Sequence, residues 1–534
     1  MDPSENLIGD PSLISPAEET IPTMGSEAPE KEASFEEEEE YDFEIVITEA
    51  PKPNSKKTVG DGFTPGIGTS RGARILTLSV PAPRGQITDR NGKPLAQNVI
   101  AHFPAIQFPH MDGASDQEKV EYGRQRISLL NAALGTNYQV ADEDFVAHYK
   151  DRRWLPFTFT RIPLNEQQKE KFDTLEAPGL MLHPTYQRYY PQKSVAGHIV
   201  GYVGKRGPWP KGEIPDGEAL WPTSQGIRGI EKAYDNYLTG SPGSVQIIFD
   251  ENGNRVEETT ISNPVPGGNV VLAIDLEMQM LAERLLQERT HRGAMVLTDV
   301  ETGDVLALAS NPNYDPNEFV PRITPDRLAA LQNDPSKPLF ARAFQGEYPP
   351  ASTFKCVSAL GMLRAGTVTE WTVYPCPTSF TIGNLEKHNW AKNFDGDMNV
   401  MGALTRSCNT WFYRVAMDTN SAYVSRSGES FGFGRESGIN LGEEKTGNMP
   451  NNEWYRTRFG HSIGKGDLAN IVIGQGTVLA TPLQVARAMG AIGNRKALME
   501  SRLVLQIQDY ANNIITAQEV SPQPLNISQH YLAI

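Results

Sequence analysis

Ser352 and Lys355 stand one helical turn apart in Pro349-Pro350-Ala351-Ser352-Thr353-Phe354-Lys355, and the residues that follow, Cys356 to Leu363, carry no charge. Two prolines cannot continue a preceding helix, so a new one is expected to open here, buried on most sides. Positions i and i+3 share a helix face, which puts the Ser352 hydroxyl and the Lys355 amine within expected hydrogen-bond reach. Burial disfavours the ammonium and lowers its pKa, so Lys355 is expected to take the Ser352 proton near neutral pH and leave a serine nucleophile. In the first turn the Ser352 N–H is also a candidate oxyanion donor. The plain alternative is a capping serine beside a lysine that snorkels. The same spacing recurs at Ser462-Ile463-Gly464-Lys465, where the glycine-rich setting suits a loop.

Ser407-Cys408-Asn409 lies downstream, between Met401–Arg406 and Trp411–Tyr413, both read as helical pieces. Serine and asparagine two apart project to the same side of an extended connection. A second hydroxyl there could relay a proton between Lys355 and a leaving amine, and the Asn409 amide could donate to and accept from a peptide bond. Alone, the triplet reads equally as a helix cap.

Together and in this order the motifs resemble the penicilloyl serine transferases, the penicillin-binding proteins and serine β-lactamases. Arg84-Gly85-Gln86-Ile87-Thr88-Asp89-Arg90-Asn91-Gly92 is similar to the opening signature of class B penicillin-binding proteins. Tyr189-Tyr190-Pro191 with Gly197–Gly204, and Gly226-Ile227-Arg228-Gly229-Ile230-Glu231-Lys232, resemble their N-terminal module and the segment that joins it to the catalytic domain. Ile473-Gly474-Gln475-Gly476 running into Ala480-Thr481-Pro482-Leu483-Gln484 resembles the elongation-type, cell-shape branch.

The resemblance implies an α+β fold: an elongated pedestal or dimerisation module, then a β-lactamase-like transpeptidase domain whose antiparallel sheet has helices on both sides. The expected divisions are a disordered acidic tail over 1–73, the pedestal over 74–265 and the transpeptidase domain over 266–534. The tail is rich in Glu, Pro, Ser and Gly and includes the run Glu36–Glu40. Val265-Pro266-Gly267-Gly268-Asn269 is a turn cluster that suits a boundary. Strands are expected at Ile75–Val80, Val270–Ile274 and Ser501–Ile507, and a helix at Asp116–Leu134. Ala294–Val300 and Val305–Ser310 read as a hairpin, which in the family begins the central sheet.

A net charge of -16 argues against nucleic acid, which needs clustered Lys and Arg. No metal-ligand spacing and no phosphate-binding glycine loop is present, so no metal and no cofactor is expected. The cysteines Cys356, Cys376 and Cys408 are too few for a disulfide framework. Cys356 and Cys408 read as packing residues. Cys376 has no evident partner, because the place where class B relatives often carry a cysteine before a tryptophan reads His388-Asn389-Trp390.

By resemblance the function expected is that of a serine-type peptidoglycan D,D-transpeptidase that binds penicillin. Ser352 would be the nucleophile, Lys355 the base, and Ser407 and Asn409 relay and anchor. The partners expected are stem peptides, β-lactams, a separate glycan polymerase and cell-shape proteins. The family also implies the cell envelope, periplasmic or on the outer face of the cytoplasmic membrane, yet the sequence shows neither a signal segment nor 18 consecutive apolar residues.

The family's late Lys-Thr/Ser-Gly triplet belongs on an edge strand after the Thr-Pro-Leu-Gln helix. Lys445-Thr446-Gly447 instead precedes Thr481 in a charged run, and reads as a loop decoy. The true triplet is expected beyond Ile534, as in a truncated or partial sequence, which leaves open whether this chain turns over. The alternative reading is a catalytically inactive or fragmentary homologue that serves the cell-wall machinery as a binding or scaffold module.

Overall fold

The computed structural model describes residues 74–534 apart from 112, 206–210 and 251–254. The acidic tail expected over 1–73 lies outside the described residues. Pro94–Ile106 is the spine of the first module, paired antiparallel with Leu180–Tyr189 from Gln97↔Tyr189 to Ile106↔Leu180. Helix Asp116–Leu134 forms as the sequence predicts. Ser115 and Glu118 make a reciprocal capping box at its start, and Gly135 closes it at φ 67. Its Ile127 packs with Ile106, Phe108, Phe145 and Tyr149.

The quoted signature segments converge physically. Asp89 is fully buried; its carboxylate accepts from the Asn91 and Lys93 N–H groups, closing the Asp-Arg-Asn-Gly turn, and from the Leu276 N–H at a helix start. Arg84 Nε and Arg188 Nε each donate to the buried Glu231 carboxylate at 2.6 Å. Tyr190 Oη donates to the same carboxylate at 3.3 Å and accepts from the Val203 N–H at 3.1 Å. The arginine-glycine opening, the Tyr-Tyr-Pro segment and the Gly-Ile-Arg-Gly-Ile-Glu segment are thus one buried ionic knot.

A single sheet crosses the turn cluster at 265–269. Its order is Ile514–Ala517, Val504–Gln508, Asn269–Leu272, Ile87–Thr88, Pro94–Ile106 and Phe157–Thr158, with Leu180–Tyr189 also on Pro94–Ile106. The crossing is the parallel pair Val270↔Ile87 and Val271↔Thr88.

The hairpin Gly293–Thr298 with Val305–Asn311 is a two-stranded antiparallel ribbon, linked to the longer sheet by the bridge Asp304↔Arg502. Its alternation serves two helical layers. Met295, Ala307 and Ala309 pack on Ala282 and Leu286 of helix Leu276–Arg289, while Val296 and Leu308 join Phe344 and Leu483.

The largest core surrounds helix Lys355–Arg364, whose Val357, Met362 and Leu363 are buried with Trp411, Phe412, Val424 and Phe433. Trp411 is fully buried, and its indole N–H donates to the Met398 carbonyl at 3.0 Å. Among the described residues no helix is long and apolar enough to cross a membrane.

Candidate active site

Ala351–Phe354 form a 3-10 turn that runs directly into helix Lys355–Arg364. Ala351 takes a left-handed φ of 50°, which an L-residue holds only when its surroundings compel it. The compulsion comes from Gly474 in the Ile-Gly-Gln-Gly segment. Its carbonyl accepts from the Ala351 N–H at 2.8 Å, its own φ is 70°, and a Cβ there would lie 2.3 Å from the Ala351 carbonyl oxygen. The sequence needs glycine at 474 so that Ser352 can stand exposed on the turn while Lys355, three residues on, is 1 % exposed.

Ser407 sits at φ 50°, Cys408 caps the next helix, and Asn409 is the first residue of Asn409–Ala416. This is a left-handed turn into a helix rather than the extended connection expected. It turns the Ser407 carbonyl toward Lys355, whose Nζ donates to Ser407 O at 2.7 Å, Ser407 Oγ at 3.0 Å and Asn409 Oδ1 at 2.6 Å. Ser407 Oγ in turn donates to Ser352 Oγ at 2.9 Å. The structure therefore brings Ser352, Lys355, Ser407 and Asn409 together. The hydrogen bonds connect Lys355 to Ser352 through Ser407, where the sequence suggested a direct pair.

Burial lowers the Lys355 pKa from its ordinary 10.5 to about 8. The three acceptors around Nζ fix what its deprotonation does. Two of them, the Ser407 and Asn409 carbonyls, can only accept, whereas the Ser407 hydroxyl can also donate. A neutral amine has two protons and one lone pair; it keeps both carbonyl bonds and turns the lone pair onto Ser407 Oγ. The hydroxyl chain then reverses, with Ser352 O–H donating to Ser407 Oγ and Ser407 O–H donating to Nζ. The same four groups can thus take a proton from Ser352 and later return it.

The other serine–lysine pair is unlike this one. Ser462 Oγ accepts from Arg456 Nε at 3.1 Å on the surface, and Lys465 begins a helix of its own after Gly464. Lys445-Thr446-Gly447 is loop, as its composition predicts. The Lys445 N–H donates to Phe344 O, and the Thr446 carbonyl accepts from Gln484 Nε2 at 2.7 Å, which ties the loop to the start of helix Pro482–Asn494.

The reading of Cys376 as unpartnered and Cys408 as a packing residue is overturned, because the two form a disulfide across 32 residues with Cα atoms 6.3 Å apart. The loop after the nucleophile helix folds back beneath the Ser407 turn, a proximity that spacing along the chain does not reveal. Asn389, for which the sequence offered no role, is in the same layer. Its Oδ1 accepts from the Asn409 N–H at 2.9 Å. Among the described residues no cluster of His, Cys, Asp or Glu could hold a metal.

A family model for the penicillin binding protein transpeptidase domain matches residues 293–533, and one for the penicillin-binding protein dimerisation domain matches 79–272. The chain is 34% identical to the peptidoglycan D,D-transpeptidase MrdA of Escherichia coli K12 over 86% of its own length and 72% of that protein's. To MrdA of Acinetobacter baumannii it is 32% identical, over 79% of this chain and 62% of the relative. The solved complex of penicillin-binding protein PBP2 with MreC from Helicobacter pylori matches with a TM-score of 0.70 at 25% identity, covering 86% of this chain and 82% of that one. A peptidoglycan synthase complex, described as coordinating polymerization and crosslinking, matches with a TM-score of 0.66 at 29% identity, covering 87% and 78%. Two domain models in the order of the quoted motifs, and more than a third of positions shared with MrdA over most of both chains, agree with one another: the chain belongs to the class B penicillin-binding proteins of the elongation type, the family of peptidoglycan D,D-transpeptidases.

Proposed function

We propose that this chain crosslinks peptidoglycan through an acyl-serine intermediate on Ser352. The observation that carries the reading is the hydrogen-bonded line Ser352–Ser407–Lys355, ending on a buried lysine of pKa about 8. Ser352 Oγ attacks the penultimate D-alanine carbonyl of a stem peptide, and its proton passes through Ser407 to neutral Lys355. The tetrahedral oxyanion forms beside the Ser352 N–H, in a first turn whose backbone N–H groups have no acceptor within the helix. Collapse releases the terminal D-alanine, which takes the proton back along the same line. An amine from a second stem peptide then attacks the ester, with the relay again serving as base. Asn409 holds Lys355 through Oδ1 and offers its amide N–H₂ to the substrate backbone. A β-lactam, itself a strained cyclic amide, acylates the same serine.

The sites and the division at 74–265 and 266–534 belong to this reading. So does a place in the cell envelope, periplasmic or on the outer membrane face, which the buried Cys376–Cys408 bond favours because such bonds persist in oxidising compartments. A separate glycan polymerase and a cell-shape protein would be its partners, as the complexes of its structural neighbours suggest. The test is release of D-alanine from a stem pentapeptide in the presence of an acceptor amine. The reading expects crosslinked product from the wild type and none from Ser352→Ala; equal product from both would overturn it.

A further inference from the structure

The turn that carries Ser407 and Asn409 is strained, and strain of that kind persists only where neighbouring structure holds it. What holds it is a layer the reaction itself does not use. Cys376 and Cys408 are fully buried and bonded to each other, and the backbone of the intervening loop is pinned on both sides of Cys376: its N–H donates to Gly396 O at 2.9 Å and its carbonyl accepts from the Asp395 N–H at 3.1 Å. Thr410 Oγ1 donates to the Pro377 carbonyl at 2.8 Å, and the Asn389 N–H donates to the Thr378 carbonyl at 2.8 Å. From that frame the Asn389 side chain reaches the catalytic turn. Its Nδ2 donates to Cys376 Sγ at 3.4 Å, and its Oδ1 accepts from the backbone N–H of Asn409, the residue whose side-chain oxygen lies 2.6 Å from Lys355 Nζ.

Resting on the proposed roles of Ser352 and Lys355, we infer that Asn389, fixed by the Cys376–Cys408 disulfide, is a positioning residue for acylation. It acts through Asn409. The Asn409 N–H is at the start of its helix, where no intrahelical acceptor is available, so the Asn389 oxygen fixes the rotation of this residue about the turn. That rotation decides whether Asn409 Oδ1 reaches Nζ. If it does not, a neutral Lys355 keeps only one of its two carbonyl acceptors, and its lone pair is no longer directed onto Ser407 Oγ.

Asn389 is 9 % exposed and bonds to none of Ser352, Lys355 or Ser407, so its loss reaches the site only through Asn409 and should slow bond formation more than it weakens noncovalent capture of the β-lactam. The conservative variant is informative because Asn389→Asp keeps an oxygen for the Asn409 N–H and loses the donor to sulfur.

The experiment is stopped-flow acylation by a fluorescent penicillin over a concentration series, with thermal melting to show that each protein is folded at the assay temperature. Asn389→Ala is expected to lower the saturating acylation rate roughly tenfold, the worth of one lost hydrogen bond, with half-saturation moving by less, and Asn389→Asp, which keeps the oxygen without the bond to sulfur, to restore part of it. The Cys376→Ser/Cys408→Ser protein is expected to show the same fall in rate. A folded Asn389→Ala protein with the wild-type rate would overturn the inference, and so would an Asp variant as slow as the Ala variant. A wild type that is not acylated at Ser352 would instead overturn the functional reading, and this inference with it.

Discussion

Acylation of Ser352 should follow the titration of Lys355. As the proton acceptor, Lys355 must be neutral, so the rate rises with pH and levels off above the pKa of about 8. Burial is the cause, and its effect is large. Relative to the ordinary 10.5, a pKa of about 8 raises the neutral fraction at pH 7 by roughly 300-fold. Between pH 7 and 9 the neutral fraction climbs from about 0.1 to about 0.9, an increase of about tenfold, and then flattens. A lysine left at its ordinary value would give a rise of about a hundredfold over the same interval and no plateau before pH 10. The assay is the saturating acylation rate from pH 6 to 10 with a fluorescent penicillin, measured alongside Lys355→Arg, whose guanidinium stays charged throughout. The arginine protein should lose at least about a hundredfold and show no such limb. A flat wild-type profile would mean that Lys355 is not the base; a rise that continues to pH 10 would mean that burial does not depress it.

Gly474→Ala places a Cβ 2.3 Å from the Ala351 carbonyl at a φ of 70°. It should cut acylation at least about tenfold and cost about 1–3 kcal/mol of stability, read by labelling and melting. Glu231→Ala strips the carboxylate from Arg84 and Arg188 and leaves two guanidiniums buried, so chemical denaturation should show a loss of about 3–5 kcal/mol. His198, buried with Nε2 2.8 Å from the Pro338 carbonyl, has its pKa lowered from 6.5 to about 4 by burial. Its folded pKa lies below the unfolded one, so the unfolded chain binds the extra proton first. Stability is complete above pH 6.5 and falls by about 3 kcal/mol as pH drops to 4, a loss that denaturation of His198→Asn should lack.

The Ser352/Lys355 pair was legible because helical periodicity is local, and an uncharged run after the lysine announces its burial. Helix Asp116–Leu134 was legible as well, and the structure shows it closed by a capping serine at one end and a glycine at the other. The route of the proton was not. It depends on Ser407 adopting a left-handed turn, which no propensity assigns to serine, and on a loop that brings Cys376 beneath Cys408. The sheet that runs past 265–269 was equally hidden, since the pair Val270↔Ile87 joins residues far apart in the chain and the intervening turn cluster reads as a break. Asn389 gave no signal because its work is done by one side-chain oxygen on a backbone N–H, a contact that only the folded loop creates.

Mass mapping of the covalent adduct after incubation with benzylpenicillin identifies the nucleophile. A single penicilloyl group is expected on the peptide that contains Ser352 and none in Ser352→Ala; a penicilloyl group on Ser462, or an unmodified Ser352 in a labelled protein, would show that another residue is the nucleophile.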